Sequence, residues 1–434
     1  MDRTLIAALA AWKDGAHRKP LILNGARQVG KTWLLKEFGR RHFSNVAYIN
    51  LDGNAAMKEQ FELGYDISRL ISAFQFETGE RIDEGDTLII LDEIQECPHA
   101  LTSLKYFCEE APGYAVAAAG SLLGLTIHEG TGYPVGKVET LDLYPMGFTE
   151  FLRATGNEGL ADLIASGTPT MINSFSGKLI PRLRQYYYVG GMPEAVTAFL
   201  EHGLLEDARK VQKDILRGYE RDISKHLSRT EAEYAIAAWE SIPLHLGQEN
   251  KRFVFGHIAE GARARNFQSG ITWLEQAGLV TRVRRVSKPG LPLRPYADDA
   301  AFKLFLVDVG LLGAMAHLDK STVIGGNSIF EEFKGALTEQ YVCQQLVSEH
   351  GLAPYYWSAE HSAGEIDFLV QDENRIVAIE VKAEENLRAK SLRAFKDRYP
   401  NTTALRFSMS GYREQDWMRN IPLYAVGNAL LWGE

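Results

Sequence analysis

Cysteine is scarce. Cys97, Cys108 and Cys343 are spread over 434 residues in no ligand spacing. Their odd number argues against a disulfide framework and fits a reducing, cytoplasmic setting. Long apolar runs are also missing, and none approaches the 18 or more residues of a membrane span. The opening MDRTLIAALAAWKDGAH carries Asp2 early and closes its short apolar stretch with Lys13 and Asp14. It reads as an amphipathic helix and not as a secretory signal. Positive charge is in deficit, since 47 Lys and Arg against 56 Asp and Glu leave a net charge of −9. Overall attraction to a polyanion is therefore excluded, and nucleic-acid binding requires a local basic patch. The 11 histidines contain no H-x-x-x-H or H-x-H pair, so no histidine zinc site is expected. Internal repeats and low-complexity segments are absent.

What remains is ordinary for a soluble globular protein, with 45% hydrophobic and 24% charged residues. The length suits roughly three domains. Texture divides the chain at about residues 165, 240 and 320. Residues 1–165 alternate short apolar runs (Leu21–Leu23, Val46–Leu51, Leu88–Leu91, Ala115–Ala119, Val138–Leu143) with helical patterns. Strands spaced by helices predict an α/β fold with a parallel sheet covered on both faces. Residues 166–240 read as helical, with a break at Gly190–Gly191 that serves as a hinge or a plain helix end. Residues 241–320 read as short helices and a basic hairpin, and residues 321–434 as mixed helix and strand.

The strongest signal is LILNGARQVGKTWLLKEFG. Gly25, Gly30, Lys31 and Thr32 fit G-x-x-x-x-G-K-[ST] between an apolar strand and a helix. Such a loop (Gly25, Ala26, Arg27, Gln28, Val29, Gly30, Lys31, Thr32, Trp33) lets successive N–H groups and a helix N-terminus face a polyphosphate. Lys31 would reach the β- and γ-phosphates of ATP, and the Thr32 hydroxyl would ligate Mg²⁺. TLIILDEIQ supplies the second half. Asp92 at the end of a buried strand would hold the Mg²⁺ shell, and Glu93 would act as general base on the attacking water. Ser121, after a further strand, could orient that water or be a simple turn residue. The strand at Val46–Leu51 suggests an extra strand inserted between the phosphate-loop strand and the carboxylate strand.

GARQVGKT, LDEIQ, AAGS, YPMGFTEFL and YYYVGGMPEAV, in this order, resemble a prokaryotic family of AAA-type P-loop ATP-binding proteins that end in a conserved domain of unknown function. The resemblance implies an ATPase core at 1–165 with a three-layer α/β architecture. It implies a helical lid at 166–240, a winged-helix-like domain at 241–320 and a restriction-endonuclease-like α/β domain at 321–434. It also implies ATP hydrolysis, and self-assembly is compatible with it. An arginine supplied from a neighbouring subunit or the lid is often needed, but Arg27, Arg153, Arg184, Arg217 and Arg221 have no spacing that singles one out.

Two weaker constellations follow. Around the expected hairpin lie Arg282, Arg284, Arg285, Lys288 and Arg294, with no acidic residue between Glu275 and Asp298. This is the clearest local basic patch, a candidate for DNA phosphates or, alternatively, for packing. In the last stretch Asp367, Glu380 and Lys382 form a D…E-x-K pattern, with Glu339 on a preceding helix. Two such carboxylates can chelate Mg²⁺ or Mn²⁺, and a lysine can position hydroxide for phosphodiester attack. The expectation is a Mg²⁺-dependent ATPase whose nucleotide state controls the winged helix and the nuclease-like domain, acting on nucleic acid. The alternative is a slow nucleotide-dependent switch with a silent C-terminal domain that binds a protein partner.

Overall fold

A computed structural model describes residues 2–121, 133–258, 260–325, 331–359, 364–383 and 389–433. The chain forms two compact units. One comprises Asp2–Tyr144 with Gln276–Gly278, and the other Pro145–Glu275 with Leu279–Glu434.

The first unit is built on five parallel strands, β1 (Leu21–Asn24), β2 (Asn45–Asn50), β3 (Thr87–Asp92), β4 (Ala115–Ala119) and β5 (Glu139–Asp142), in the order β2-β3-β4-β1-β5. All six residues of β3 and all five of β4 are buried, as the uninterrupted apolar runs require of strands covered on both faces. Alternation along the strands separates two packing surfaces. On one face Ala47, Ile49, Ile89 and Leu91 meet Met57, Phe61, Phe74, Leu104 and Phe107 from the helices Ala55–Glu62, Ile67–Thr78 and Pro98–Glu110. On the other, Gly39 of the helix Lys31–His42 packs on Val46 and Leu88 so closely that a Cβ there would lie 2.5 Å from Val46 Cγ2. These are the expected three layers. The strand between β1 and β3 is β4, however, whereas β2 lies at the sheet edge. The inserted strand expected at Val46–Leu51 is thus Ala115–Ala119, because order across a sheet follows crossover packing and not order along the chain.

The second unit begins with helices, among them Phe148–Ala154, Ser176–Val189, Pro193–His202 and Leu205–His226. Gly190 ends one of them with φ 72°. A Cβ on Gly191 would lie 2.1 Å from the Met146 carbonyl oxygen, and the Gly191 N–H donates to Asp308 Oδ2 at 2.6 Å. The Gly-Gly break is therefore a close-packed junction. Tyr186, Tyr187 and Tyr188 are all buried in the core.

Among the described residues a mixed sheet of eight strands follows, β6 (Val280–Val286), β7 (Ala297–Leu306), β8 (Tyr355–Ser358), β9 (Glu365–Asp372), β10 (Arg375–Lys382), β11 (Thr403–Ser408), β12 (Arg413–Glu414) and β13 (Arg419–Pro422), in the order β12-β13-β11-β10-β9-β8-β6-β7. β6 and β7 form the expected basic hairpin. That hairpin is part of the C-terminal sheet, because β6 pairs in parallel with β8 through Arg284, Arg285 and Val286. Before it, the helix Ala264–Gln276 forms as expected. The stretch leading to Ile258 is only the 3-10 turn Phe255–His257.

Candidate nucleotide-binding site

β1 delivers the chain into a loop that only particular residues can form. Gly25 adopts φ +148°, and a Cβ there would meet the Leu143 carbonyl oxygen at 2.2 Å. Gln28 (φ 65°) and Gly30 (φ 95°) also take the left-handed conformation, which glycine tolerates and other residues adopt only under constraint. Ala26 and Val29 turn inward and are buried, whereas Arg27 and Gln28 are exposed. Gly30 caps the helix Lys31–His42, whose first-turn N–H groups face the loop. Trp33 is 43% exposed at the start of that helix.

Lys31 is buried, and its ammonium donates to the carbonyl oxygens of Gly25 and Ala26 at 2.8 Å each. Burial pushes it down to about 8, opposed by the charges of Glu93 and Asp92. Asp92, at the carboxyl end of β3, is only 4% exposed. Its Oδ2 accepts from the Thr32 hydroxyl at 2.7 Å and from the Tyr48 phenol at 2.9 Å. Its Oδ1 accepts from the Glu93 N–H at 3.1 Å. Two oxygen groups suited to a hard cation, Thr32 and Asp92, are thus adjacent beside an anion-seeking helix terminus, and this donor set fits Mg²⁺. Burial and the Asp92 charge raise the Tyr48 phenol well above its ordinary value, so it stays a donor.

Glu93 has φ 50° and ψ 46°. Its Oε2 accepts from Gln95 Nε2 at 2.5 Å. At the ends of the adjacent strands β1 and β4, Asn24 Oδ1 and Ser121 Oγ are buried without a hydrogen-bond partner. Orphaned buried polar atoms at the carboxyl ends of parallel strands are where a polar ligand or ordered water would be satisfied. Tyr48, Gln95 and Asn24 were not singled out by sequence reasoning. Tyr48 lies opposite Ile90 in the β2–β3 register, and two residues on along β3 the same face carries Asp92. That diagonal is invisible until the register is known.

The other constellations behave differently. Arg282 is buried, and its Nε lies 3.1 Å from Glu275 Oε2. Arg284 pairs with Glu275 at 3.1 Å and with Asp299 at 2.7 Å. The acidic residues bordering the basic stretch therefore fold back onto it. Arg285 is half-buried in the sheet, and Lys288 lies over the Tyr296 ring at 4.8 Å.

In the C-terminal sheet, β9 (Glu365–Asp372) and β10 (Arg375–Lys382) run antiparallel with Ile379 opposite Phe368. The Val381 N–H, next to Glu380, donates to Asp367 Oδ2 at 2.7 Å. Lys382 Nζ lies 3.3 Å from Glu380 Oε1. Asp367, Glu380 and Lys382 line one cleft of about 460 Å³ with Lys251 and Glu365. Glu339, on the helix Glu331–Ser348, is ion-paired with Lys251 and lies 4.0 Å from the fully buried Lys303, which holds Glu365 at 2.5 Å. Burial and the Glu339 charge push Asp367 up to about 7. Burial also raises Glu380, against the pull of Lys382. Among the described residues, no group of three or more His, Cys, Asp or Glu side chains has an arrangement that could hold a metal ion.

Three known domain families match parts of the chain. Residues 17–152 match the AAA domain family, residues 180–322 a domain of unknown function (DUF8612), and residues 334–426 a domain of unknown function (DUF4143). No curated protein matches the chain. Among solved structures, the Walker-type ATPase PABY2304 of Pyrococcus abyssi is 14% identical over 73% of this chain and 95% of its own, with a TM-score of 0.44. The Aeropyrum pernix ORC1 protein in complex with DNA is 15% identical over 72% and 90%, with a TM-score of 0.26. The Thermotoga maritima RuvB Holliday junction branch migration motor is 16% identical over 64% and 87%, with a TM-score of 0.27. No helix among the described residues is long and apolar enough to cross a membrane. The chain thus carries an AAA-type P-loop ATPase domain at residues 17–152 and ends in a conserved domain of unknown function.

Proposed function

We propose that the protein is a Mg²⁺-dependent ATPase that works as a nucleotide-controlled switch. The observation that carries this reading is the convergence of Thr32, Tyr48 and the Glu93 N–H on the Asp92 carboxylate, beside a Lys31 held by loop carbonyls. ATP phosphates would replace those two carbonyls as partners of the Lys31 ammonium, and loop N–H groups would receive the remaining phosphate oxygens. Thr32 and Asp92 would hold Mg²⁺, which supplies neutralisation of the phosphate charge. Glu93 would take the proton of the attacking water, and Ser121, with its unpartnered hydroxyl, would help hold that water.

The switch reading is preferred over a nuclease-coupled one because Lys251 and Lys303 already compensate the carboxylates around the C-terminal cleft. A cluster neutralised by ammonium groups has little electrostatic need for a divalent ion. The cleft then serves recognition of a protein partner. DNA remains the outcome to be tested, because the arginines of the hairpin have acidic partners of their own.

The test is ATP turnover, measured alone and with single- or double-stranded DNA. Glu93→Gln should bind ATP as the parent does but turn over about 10²-fold more slowly or worse, since the base is lost and the shape kept. Turnover equal to the parent's would remove Glu93 from the mechanism. Strong stimulation by DNA, or Mn²⁺-dependent cleavage abolished by Asp367→Ala, would replace the switch reading with the nuclease-coupled one.

A further inference from the structure

The two residues after Glu93 do more than continue the chain. In a strand, residues i and i+2 point the same way but run parallel. In a helix they do not face each other. Here Glu93 sits in the left-handed region, and a 3-10 turn over Ile94–Glu96 follows it directly. The Glu96 N–H donates to the Glu93 carbonyl at 2.9 Å and the Cys97 N–H to the Ile94 carbonyl at 3.1 Å. Ile94 is fully buried and pins the turn to the core. The result brings the Gln95 amide back onto the carboxylate two residues before it, at 2.5 Å.

The amide's other end is informative. Gln95 Oε1 is buried and accepts no hydrogen bond. Gln95 is half-buried, and an amide so placed turns toward its strongest, charged partner. This one directs its N–H at Glu93 and leaves its carbonyl bare, so the carboxylate sets its orientation. Asp92 constrains the same residue from the backbone side, through the Glu93 N–H. Glu93 is therefore held at both backbone and side chain, next to the Lys31 ammonium whose proton affinity it raises.

We infer that Gln95 is a positioning residue for ATP hydrolysis: its side-chain N–H fixes the orientation of the Glu93 carboxylate in the nucleotide site. The inference rests on Glu93 being the base. Gln95 itself would contact Glu93 and not the nucleotide or the attacking water.

The experiment compares the full-length parent, Gln95→Ala, Gln95→Glu, Glu93→Gln and the Gln95→Ala/Glu93→Gln double variant. Equilibrium binding of a fluorescent ATP analogue is measured alongside turnover, so that the loss in kcat is read apart from binding. Gln95→Ala should bind the analogue as the parent does and lose turnover roughly 10- to 100-fold. Gln95→Glu, the same size with a carboxylate in place of the donor, should bind likewise and lose at least as much turnover, and it carries the test if the alanine variant misfolds. In the Glu93→Gln background, Gln95→Ala should cause no further loss. Unchanged turnover in both Gln95 variants, with Glu93→Gln inactive, would overturn the role of Gln95 alone. A loss that adds fully to that of Glu93→Gln would also overturn it, by showing a merely structural effect. An active Glu93→Gln would instead overturn the assignment of the base on which it rests.

Discussion

At the scale of single residues, the nucleotide site depends on groups placed where they are costly. A buried ammonium is tolerated at Lys31 because two carbonyl oxygens and two nearby carboxylates offset its lost hydration. Losing it should weaken ATP binding by roughly 10- to 100-fold, the equivalent of about 1.5–3 kcal/mol of charge-assisted hydrogen bonding. Equilibrium binding of Lys31→Ala tests this. The depressed value of about 8 adds a second expectation. At pH 8.5 much of Lys31 is neutral in the free protein, and phosphate charge would reprotonate it. ATP binding should therefore take up protons at pH 8.5 and not at pH 6.5, where the group is already charged. Calorimetric titrations in buffers of different ionisation enthalpy measure the uptake, and equal heats across buffers at pH 8.5 would contradict it. Gly25 is the corresponding backbone case. A Cβ 2.2 Å from the Leu143 carbonyl oxygen cannot be accommodated at φ +148°, so Gly25→Ala should disrupt the loop and abolish ATP binding.

At the scale of elements, the carboxyl end of β3, where Asp92 sits, is braced from two sides. The helix Lys31–His42 contributes Thr32 and the edge strand β2 contributes Tyr48, both donating to one oxygen of Asp92. Lys36 of the same helix lies 3.3 Å from the centre of the Tyr48 ring, tying β2 to the helix as well. Removing the phenol hydroxyl in Tyr48→Phe frees the carboxylate to rotate without opening a cavity. The Mg²⁺ concentration for half-maximal ATP binding should rise about tenfold, the lower end of the effect of losing a supporting hydrogen bond behind a metal ligand. Binding of ATP in EDTA should stay as in the parent, and an unchanged Mg²⁺ requirement would show that Thr32 alone suffices. The hairpin β6–β7 carries the opposite lesson. Arg282→Ala removes, from a buried position, one of the two arginines that pair with Glu275. Its consequence should be a lowered melting temperature, with DNA binding no different from the parent's at any salt concentration.

At the scale of the second unit as a whole, elements distant in sequence meet on a half-buried carboxylate. Glu349 follows the helix Glu331–Ser348 and accepts from the Thr149 hydroxyl at 2.8 Å, 200 residues away. Gly147 and Gly427 make room for it, since a Cβ at either would lie 2.2 Å or less from its carboxylate oxygens. Burial pushes Glu349 up to about 7, with Glu150 adding to the rise against the Thr149 hydrogen bonds. Its ordinary value is 4.5, so between those two pH values the folded state holds more protons than the unfolded one. The stability this group contributes is present below about pH 4.5 and is lost as the pH rises through about 7. Glu349→Gln keeps an acceptor for Thr149 and removes the titration. Relative to the parent it should gain melting temperature at pH 8 and not at pH 5. A gain that is equal at both pH values would rule out an ionisation effect.

The sequence by itself determined the five-stranded α/β core, the phosphate loop and the carboxylate strand. Each is written in a local pattern, whether a glycine spacing, an apolar run or an acidic pair at its end, and such patterns act within a few residues. Lys31, Thr32 and Asp92 could be read for that reason, and so could the shared face of Glu380 and Lys382. Tertiary structure decided what depends on register and crossover. It put β4 and not β2 between β1 and β3, and it brought the Tyr48 phenol onto Asp92. It also turned Gln95 back onto Glu93 through a left-handed residue that no periodicity announces. Charge was the least legible property of all. The basic hairpin has no acidic residue between Glu275 and Asp298 along the chain, yet Glu275 and Asp299 meet its arginines, and Lys251 and Lys303, distant in sequence, meet Glu339 and Glu365 beside the C-terminal cleft. Burying one sign of charge without the other is too costly to persist, and the partner that relieves it can come from anywhere in the sequence.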